Sequence, residues 1–228
     1  MSLFAIADTH LSLGSNKPMD VFEGWQNYTD KLKKNWNNLI SEDDVTVIAG
    51  DISWAMNFDE LYKDFEFINS LNGKKIILKG NHDYWWNTLS KMNKFIEENN
   101  FNTISILHNN AYDFDGFSVC GSRGWFFDSD EAQDEKVLNR EVMRIKASID
   151  AAKNDEKIVF LHYPPITTNE NCKEILNLLS ESGIKKCYYG HLHGAAARFS
   201  IDDNINGIDF KLISADRLNF VPYLVNKF

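Results

Sequence analysis

Lys75-Ile76-Ile77-Leu78-Lys79-Gly80-Asn81-His82-Asp83 runs from apolar side chains through a glycine into three polar groups. A few residues rich in Ile and Leu are what a buried strand requires. Glycine lets the backbone turn there without a Cβ clash. The polar groups then lie just past the strand's C-terminal end, where open α/β sheets hold their ligands. The arrangement recurs along the chain. The apolar run 3–7 leads to Asp8-Thr9-His10, and 45–49 leads to Gly50-Asp51. The run 157–161 leads to His162, and 187–189 leads to Gly190-His191-Leu192-His193. Five of the six histidines fall in this ordered set, so the histidine content of the chain is nearly all committed to one place.

Between these runs lie stripes at helical spacing. Trp25, Tyr28, Leu32, Trp36 and Leu39 form one, and Leu61, Phe65, Ile68 and Leu71 another. A third comprises Leu138, Val142, Ile145 and Ile149. Asp128, Asp130, Glu131, Asp134 and Glu135 precede it, an acidic start that suits the positive end of a helix dipole. Apolar runs at 104–107 and 117–121 add strands, and 111–114 with 117–121 flank Asp115-Gly116, a hairpin signal. After Gly194, runs at 196–201, 208–214 and 223–225 have no helix between them and read as an antiparallel meander. The expected fold class is α/β (α+β-like), a four-layer α/β/β/α sandwich of two mixed β-sheets flanked by helices. With no linker or repeat, residues 1–228 are expected to form a single domain.

A hydrophobic share of 43% and a charged share of 25% are those of a globular protein. The net charge of −9 argues against electrostatic binding of nucleic acid. Cys120, Cys172 and Cys187 are odd in number and do not form a disulfide framework. The chain shows no targeting segment and no apolar run of membrane length, so a reducing cytoplasm is expected. On that basis the sequon Asn27-Tyr28-Thr29 is expected to be unused.

Imidazole and carboxylate together are what borderline divalent metals prefer. Any one of these residues alone has a bland reading: a hydrogen-bonded histidine at a strand end, or a Gly-Asp turn. Together and in order they point to a metal site. In His191-Leu192-His193 the two imidazoles would point the same way on an extended segment. His108 falls outside the set and reads as a surface turn residue.

The ordered set from Asp8 to His193 resembles the calcineurin-like metallophosphoesterases, a superfamily of dinuclear metal phosphatases, phosphodiesterases and nucleases. The resemblance implies a double-sandwich fold and two divalent metals, with Mn²⁺ first and Fe²⁺ or Zn²⁺ as alternatives. It implies that Asp8, His10 and His193 hold one metal, that Asn81, His162 and His191 hold the other, and that Asp51 bridges them. A hydroxide shared by the metals would attack phosphorus in line, and His82 would protonate the leaving oxygen. The chain departs from two branches. Purple acid phosphatases carry a tyrosine where Trp54 stands, which argues against a ferric site. Ser/Thr protein phosphatases carry an Asp-Arg pair where Trp54 and Ala55 stand, so their clamp is missing.

Arg123, between Gly121-Ser122 and Gly124-Trp125, is either a substitute phosphate clamp or a surface arginine. Among Trp54, Trp85, Trp86 and Trp125, Trp85 or Trp86 is expected to line a pocket, with the others filling the core. Asp83 is either a support behind the ligands or a loop residue. The expected function is hydrolysis of a small phosphomonoester or phosphodiester, with monoester and diester left open. The alternatives are a non-catalytic scaffold on the same fold and a nuclease; the acidic balance weighs against polynucleotide substrates. The expected partner is a small phosphorylated molecule, with no membrane and with oligomeric state open.

Overall fold

The computed structural model describes residues 1–125 and 135–227. In chain order the elements are β1 Ser2–Ile6, α1 Tyr28–Leu39, β2 Val45–Ala49, α2 Phe58–Asn69, β3 Lys74–Leu78 and α3 Leu89–Glu98. There follow β4 Ile104–Ile106, β5 Tyr112–Asp113, β6 Ser118–Ser122, α4 Glu135–Asp150, β7 Lys157–Leu161 and α5 Lys173–Glu181. The last are β8 Lys186–Tyr189, β9 Asn204–Ile205, β10 Ile208–Leu212 and β11 Tyr223–Lys227. One sheet has the order β11-β1-β2-β3-β4 and the other β5-β6-β7-β8-β10-β9. Within each, the central strands are parallel and the edges include antiparallel pairs.

Alternation along the strands builds the layers. Leu3, Ala5, Val45, Val47, Ile76 and Leu78 face one way and pack with Val119, Ile158 and Phe160 of the other sheet. Phe4, Ile6, Ile48 and Ile77 face the other way, beneath Leu32, Trp36, Leu61, Phe65 and Met92 of α1, α2 and α3. On the second sheet, Cys120, Val159, Leu161 and Cys187 pack under Ile145, Ile149, Ile175 and Leu179 of α4 and α5. The result is the four-layer α/β/β/α sandwich of two mixed sheets. Both strand faces are covered, which is why the parallel strands read as continuous apolar runs.

The three expected helical stripes become α1, α2 and α4, except that Trp25 and Leu71 lie outside their helices and Leu39 is exposed; α2 is capped by Asn57, whose side chain accepts from Glu60 N at 3.0 Å. Glu135 opens α4; Asp128, Asp130, Glu131 and Asp134 lie outside the described residues. The Asp115-Gly116 turn joins β5 to β6 as an antiparallel hairpin. The C-terminal meander is corrected. Residues 196–201 do not form a strand; Gly194–Phe199 is a 3-10 helix. β10 runs parallel to β8, reached through the β9–β10 hairpin, and β11 crosses to the first sheet beside β1. Local turn chemistry set the hairpin but not the sheet each strand joins. The three thiols are free and buried. Among the described residues no helix is long and apolar enough to cross a membrane.

Candidate metal centre

The loops after β1, β2 and β3 meet those after β7 and β8 where the two sheets join. Backbone bonds stitch them: Asp8 N donates to Gly50 O at 3.0 Å, His10 N to Asp51 O at 2.9 Å, and Gly190 N to His162 O at 3.1 Å. Asp8, Asp51 and His162 are all buried, and each offers a ligand atom within 4.8 Å of the others. Asp51 is at the middle. Its Oδ1 lies 3.5 Å from His162 Nε2, while its Oδ2 lies 3.8 Å from His10 Nε2 and 4.0 Å from His82 Nε2. Asn81 Oδ1 lies 2.7 Å from His162 Nε2 and 3.0 Å from His191 Nδ1. The His193 ring meets that of His10 edge-on at 5.3 Å. All seven expected ligands therefore fall in one cluster, with Asp51 between the His10 side and the His162 side.

The backbone is strained to achieve this. Asp8, His10, Asp51 and His191 have positive φ of 56°, 43°, 49° and 71°. A non-glycine residue there costs about 1 kcal/mol or more, and such strain concentrates at functional sites. His191 is thus not on an extended segment, contrary to expectation. A tight turn, with Leu192 N bonded to Gly190 O at 2.9 Å, aims His191 at Asn81 and leaves His193 facing His10. Gly80 and Gly190 serve close approach and not a left-handed turn. A Cβ on Gly80 would lie 2.1 Å from Asp51 N and Oδ1, and one on Gly190 would lie 2.7 Å from Asp8 Oδ2.

Burial, then repulsion from Asp51, pushes the pKa of Asp8 up. Burial also raises that of Asp51, against the pull of His82 and its backbone donors. Burial holds His162 down to about 3. Two buried carboxylates, beside imidazoles whose charged form burial disfavours at His10 and His162, lack the positive charge that would satisfy them. His162 Nδ1 lies 3.1 Å from Ala49 O; a carbonyl only accepts, so the proton is on Nδ1. Nε2 then presents a lone pair toward the Asn81 oxygen, two acceptors that a divalent cation held by these residues would satisfy. His10 is 1% exposed, and neither ring nitrogen has a hydrogen-bond partner among the described residues. Buried polar atoms of this kind call for a missing partner. The donor set fits a divalent cation.

His82 stands at the rim, half-buried, with Nδ1 3.3 Å from the Tyr84 hydroxyl. Burial lowers its pKa, helped by His193 and Lys17 and opposed by Asp51. Trp54 stacks on His10 at 4.9 Å and packs on His82 at 4.5 Å. The Lys17 ammonium lies 4.8 Å above Trp54. A cleft of about 390 Å³ opens here, lined by His10, His82, His193, Met19, Trp25 and Trp54. Sequence reasoning missed Tyr84 and Lys17, and of its two pocket candidates, Trp85 or Trp86, neither lines this cleft, although Trp86 lines a neighbouring one. Tyr84's position two residues past His82 was the one available signal.

Asp83 forms no hydrogen bond with His82 among the described residues. Its Oδ1 accepts from Ile52 N (2.9 Å), Ser53 N (3.3 Å) and Trp85 Nε1 (3.1 Å), and its Oδ2 from Gly80 N (2.7 Å). It clamps the loop bearing Asn81 to the loop bearing Asp51. Trp85 is corrected as a pocket residue: it is 2% exposed in the core, its indole N–H held by Asp83. Trp125 is buried as well. Arg123 is half-buried; its carbonyl accepts from His162 N (3.1 Å) and Tyr163 N (2.8 Å), and its side chain faces a cleft with Trp86. His108 lines that cleft and is half-buried, so it is not a simple surface turn residue.

Buried carboxylates and imidazoles gathered at the strand ends of a two-sheet sandwich make a donor set for divalent cations. The calcineurin-like phosphoesterase family matches residues 1–195, and the chain belongs to that family. An uncharacterised protein of Methanocaldococcus jannaschii is 28% identical over 128 residues, covering 52% of this chain and 67% of the relative. A protein of unknown function from Aquifex aeolicus shares the fold, with a TM-score of 0.53 at 14% identity over 97% of this chain and 94% of its own. A protein from Thermus thermophilus matches with a TM-score of 0.53 at 12% identity over 86% of this chain and 85% of its own.

Proposed function

We propose that this protein hydrolyses a small phosphomonoester or phosphodiester with two divalent metal ions, Mn²⁺ foremost. The observation that carries this reading is Asp51, buried between two groups of candidate ligands. Asp8, His10 and His193 would hold one ion, Asn81, His162 and His191 the other, and Asp51 would bridge them. When bound, such ions lower the pKa of water and draw charge from phosphoryl oxygens.

The remaining work falls to the chain. His82, on the cleft side of Asp51, would hold a proton at Nε2 for the leaving oxygen, a contribution of about 10²–10⁴ in rate. The Tyr84 hydroxyl beside Nδ1 would fix the ring's orientation. Trp54 would keep water from the space between His10 and His82. The acidic net charge disfavours polynucleotides, and reduced, buried thiols fit a cytoplasmic setting. A panel of phosphate esters assayed with Mn²⁺ tests this reading. Turnover of at least one small ester, lost on chelation and restored by Mn²⁺, is expected; no turnover of any ester with two ions bound would favour the scaffold.

A further inference from the structure

A second cleft, of about 310 Å³, lies beside the ligand loops and is lined by Lys79, Trp86, His108, Ser122, Arg123 and Arg144. It is separate from the cleft that holds His82. Lys79 follows β3 directly and Arg123 comes just after β6, so both leave C-terminal strand ends, as the ligands do. Arg144 reaches in from α4. The Arg123 carbonyl is bonded to the backbone of His162, which ties this cleft to the metal centre.

Three cations meet here in a chain of net charge −9. Among the described residues one carboxylate forms an ion pair with them; Asp83 attracts Lys79 without pairing with it. Glu141 is buried, pairs with Arg144, and accepts from Ser122 Oγ at 3.0 Å. Lys79 and Arg123 form no ion pair among the described residues. Arg123 Nε and Trp86 Nε1 are buried donors with no hydrogen-bond partner among the described residues. Converging, partly desolvated cations with idle donors are costly unless an anion completes them. Glu141 needs only one of the three cations, so internal pairing does not account for the cluster.

We propose that this cleft binds a second phosphate group of the substrate, so that the preferred substrates carry two phosphates, one cleaved and one anchored by Lys79, Arg123 and Arg144. This rests on the phosphoesterase reading above for its substrate and on the cleft alone for its anion. A guanidinium grips phosphate bidentately and an ammonium adds a point charge, the mixture found here.

The test uses full-length protein stripped of metal by chelation and then desalted, titrated with inorganic phosphate. Stripping removes the other place where phosphate could bind. The indole N–H resonance of Trp86 is followed by NMR. Saturable movement of that signal is expected. Affinity should fall about ten-fold or more in Lys79→Met and in Arg144→Gln, the loss of one charge-assisted contact, and should return in Lys79→Arg. With Mn²⁺ restored, the preference in kcat/KM for a bisphosphorylated over a monophosphorylated ester should fall by a similar factor in Arg144→Gln. A Trp86 signal that phosphate leaves unmoved in the wild-type protein overturns the proposal without reference to any variant. Affinity equal in wild type and both folded variants also overturns it. Phosphate binding without turnover of any ester would remove the phosphoesterase reading and leave the anion site standing. Turnover without phosphate binding would do the reverse.

Discussion

Replacing Asp83 with Asn should unfold the site from behind without touching a proposed ligand. The carboxylate takes four N–H donors, three on Oδ1 and one on Oδ2. An amide of the same shape has one acceptor and one donor, so its NH₂ must face at least one of those N–H groups. In the gentler orientation the NH₂ meets Gly80 N, 2.7 Å from Oδ2 in the wild type. Burial and then Asp51 raise the pKa of Asp83 to about 7, so the hydrogen bond lost is worth about 0.5–3 kcal/mol, and a buried donor is left unsatisfied, about 1–3 kcal/mol more. A loss of about 1.5–6 kcal/mol is expected, or about 3–24 °C in Tm for a chain of this size. Equilibrium urea unfolding of the chelated protein, followed by tryptophan fluorescence, measures it free of metal linkage. The Asn81 loop should also loosen, weakening Mn²⁺ binding by about 10–100-fold. A destabilisation under about 1 kcal/mol with Mn²⁺ affinity unchanged would refute the clamp.

Three further outcomes follow from the same geometry. Asp51→Asn should nearly abolish turnover and weaken both metals, measured by metal content after dialysis; full activity with two ions retained would remove the bridge. His82→Ala keeps the backbone bond from residue 82 to Asp51 Oδ1, so metal content should hold while alkyl esters suffer far more than nitrophenyl esters. Equal losses for the two leaving groups would remove its role as the acid. Gly190→Ala drives a methyl group to within 2.7 Å of Asp8 Oδ2 and 2.5 Å of Ala7 Cβ, so Mn²⁺ affinity should drop by about ten-fold or more. Calorimetric titration indistinguishable from wild type would show that the close approach is dispensable.

The parallel strands and their loops were legible because burial on both faces leaves unbroken apolar runs, and each run stops where the backbone turns polar. That is why residues as far apart as Asp8 and His193 could be grouped before any coordinates. The C-terminal segment was not legible in the same way. Partner choice for β10 and β11 is set by which sheet edge remains open, which no local pattern carries. α3 and α5 went unread as helices, and α3 buries only Met92 fully, so its apolar stripe is thin. Around the site, residue identity was visible but direction was not. Trp85 and Trp54 look alike in sequence, yet one is held in the core by Asp83 and the other stacks on His10. The turn at His191 was hidden because a left-handed histidine has no sequence mark. Arg144 lies 21 positions beyond Arg123 on a helix face, and only the packing of α4 on β6 unites them.

The most direct test is the number of Mn²⁺ ions held per chain, counted by elemental analysis and by electron paramagnetic resonance after loading and desalting. Two ions per chain, spin-coupled to each other and reduced to one or none in Asp51→Asn, are expected. A folded wild-type chain that retains one ion or none in excess Mn²⁺, or two that do not couple, would contradict the shared centre.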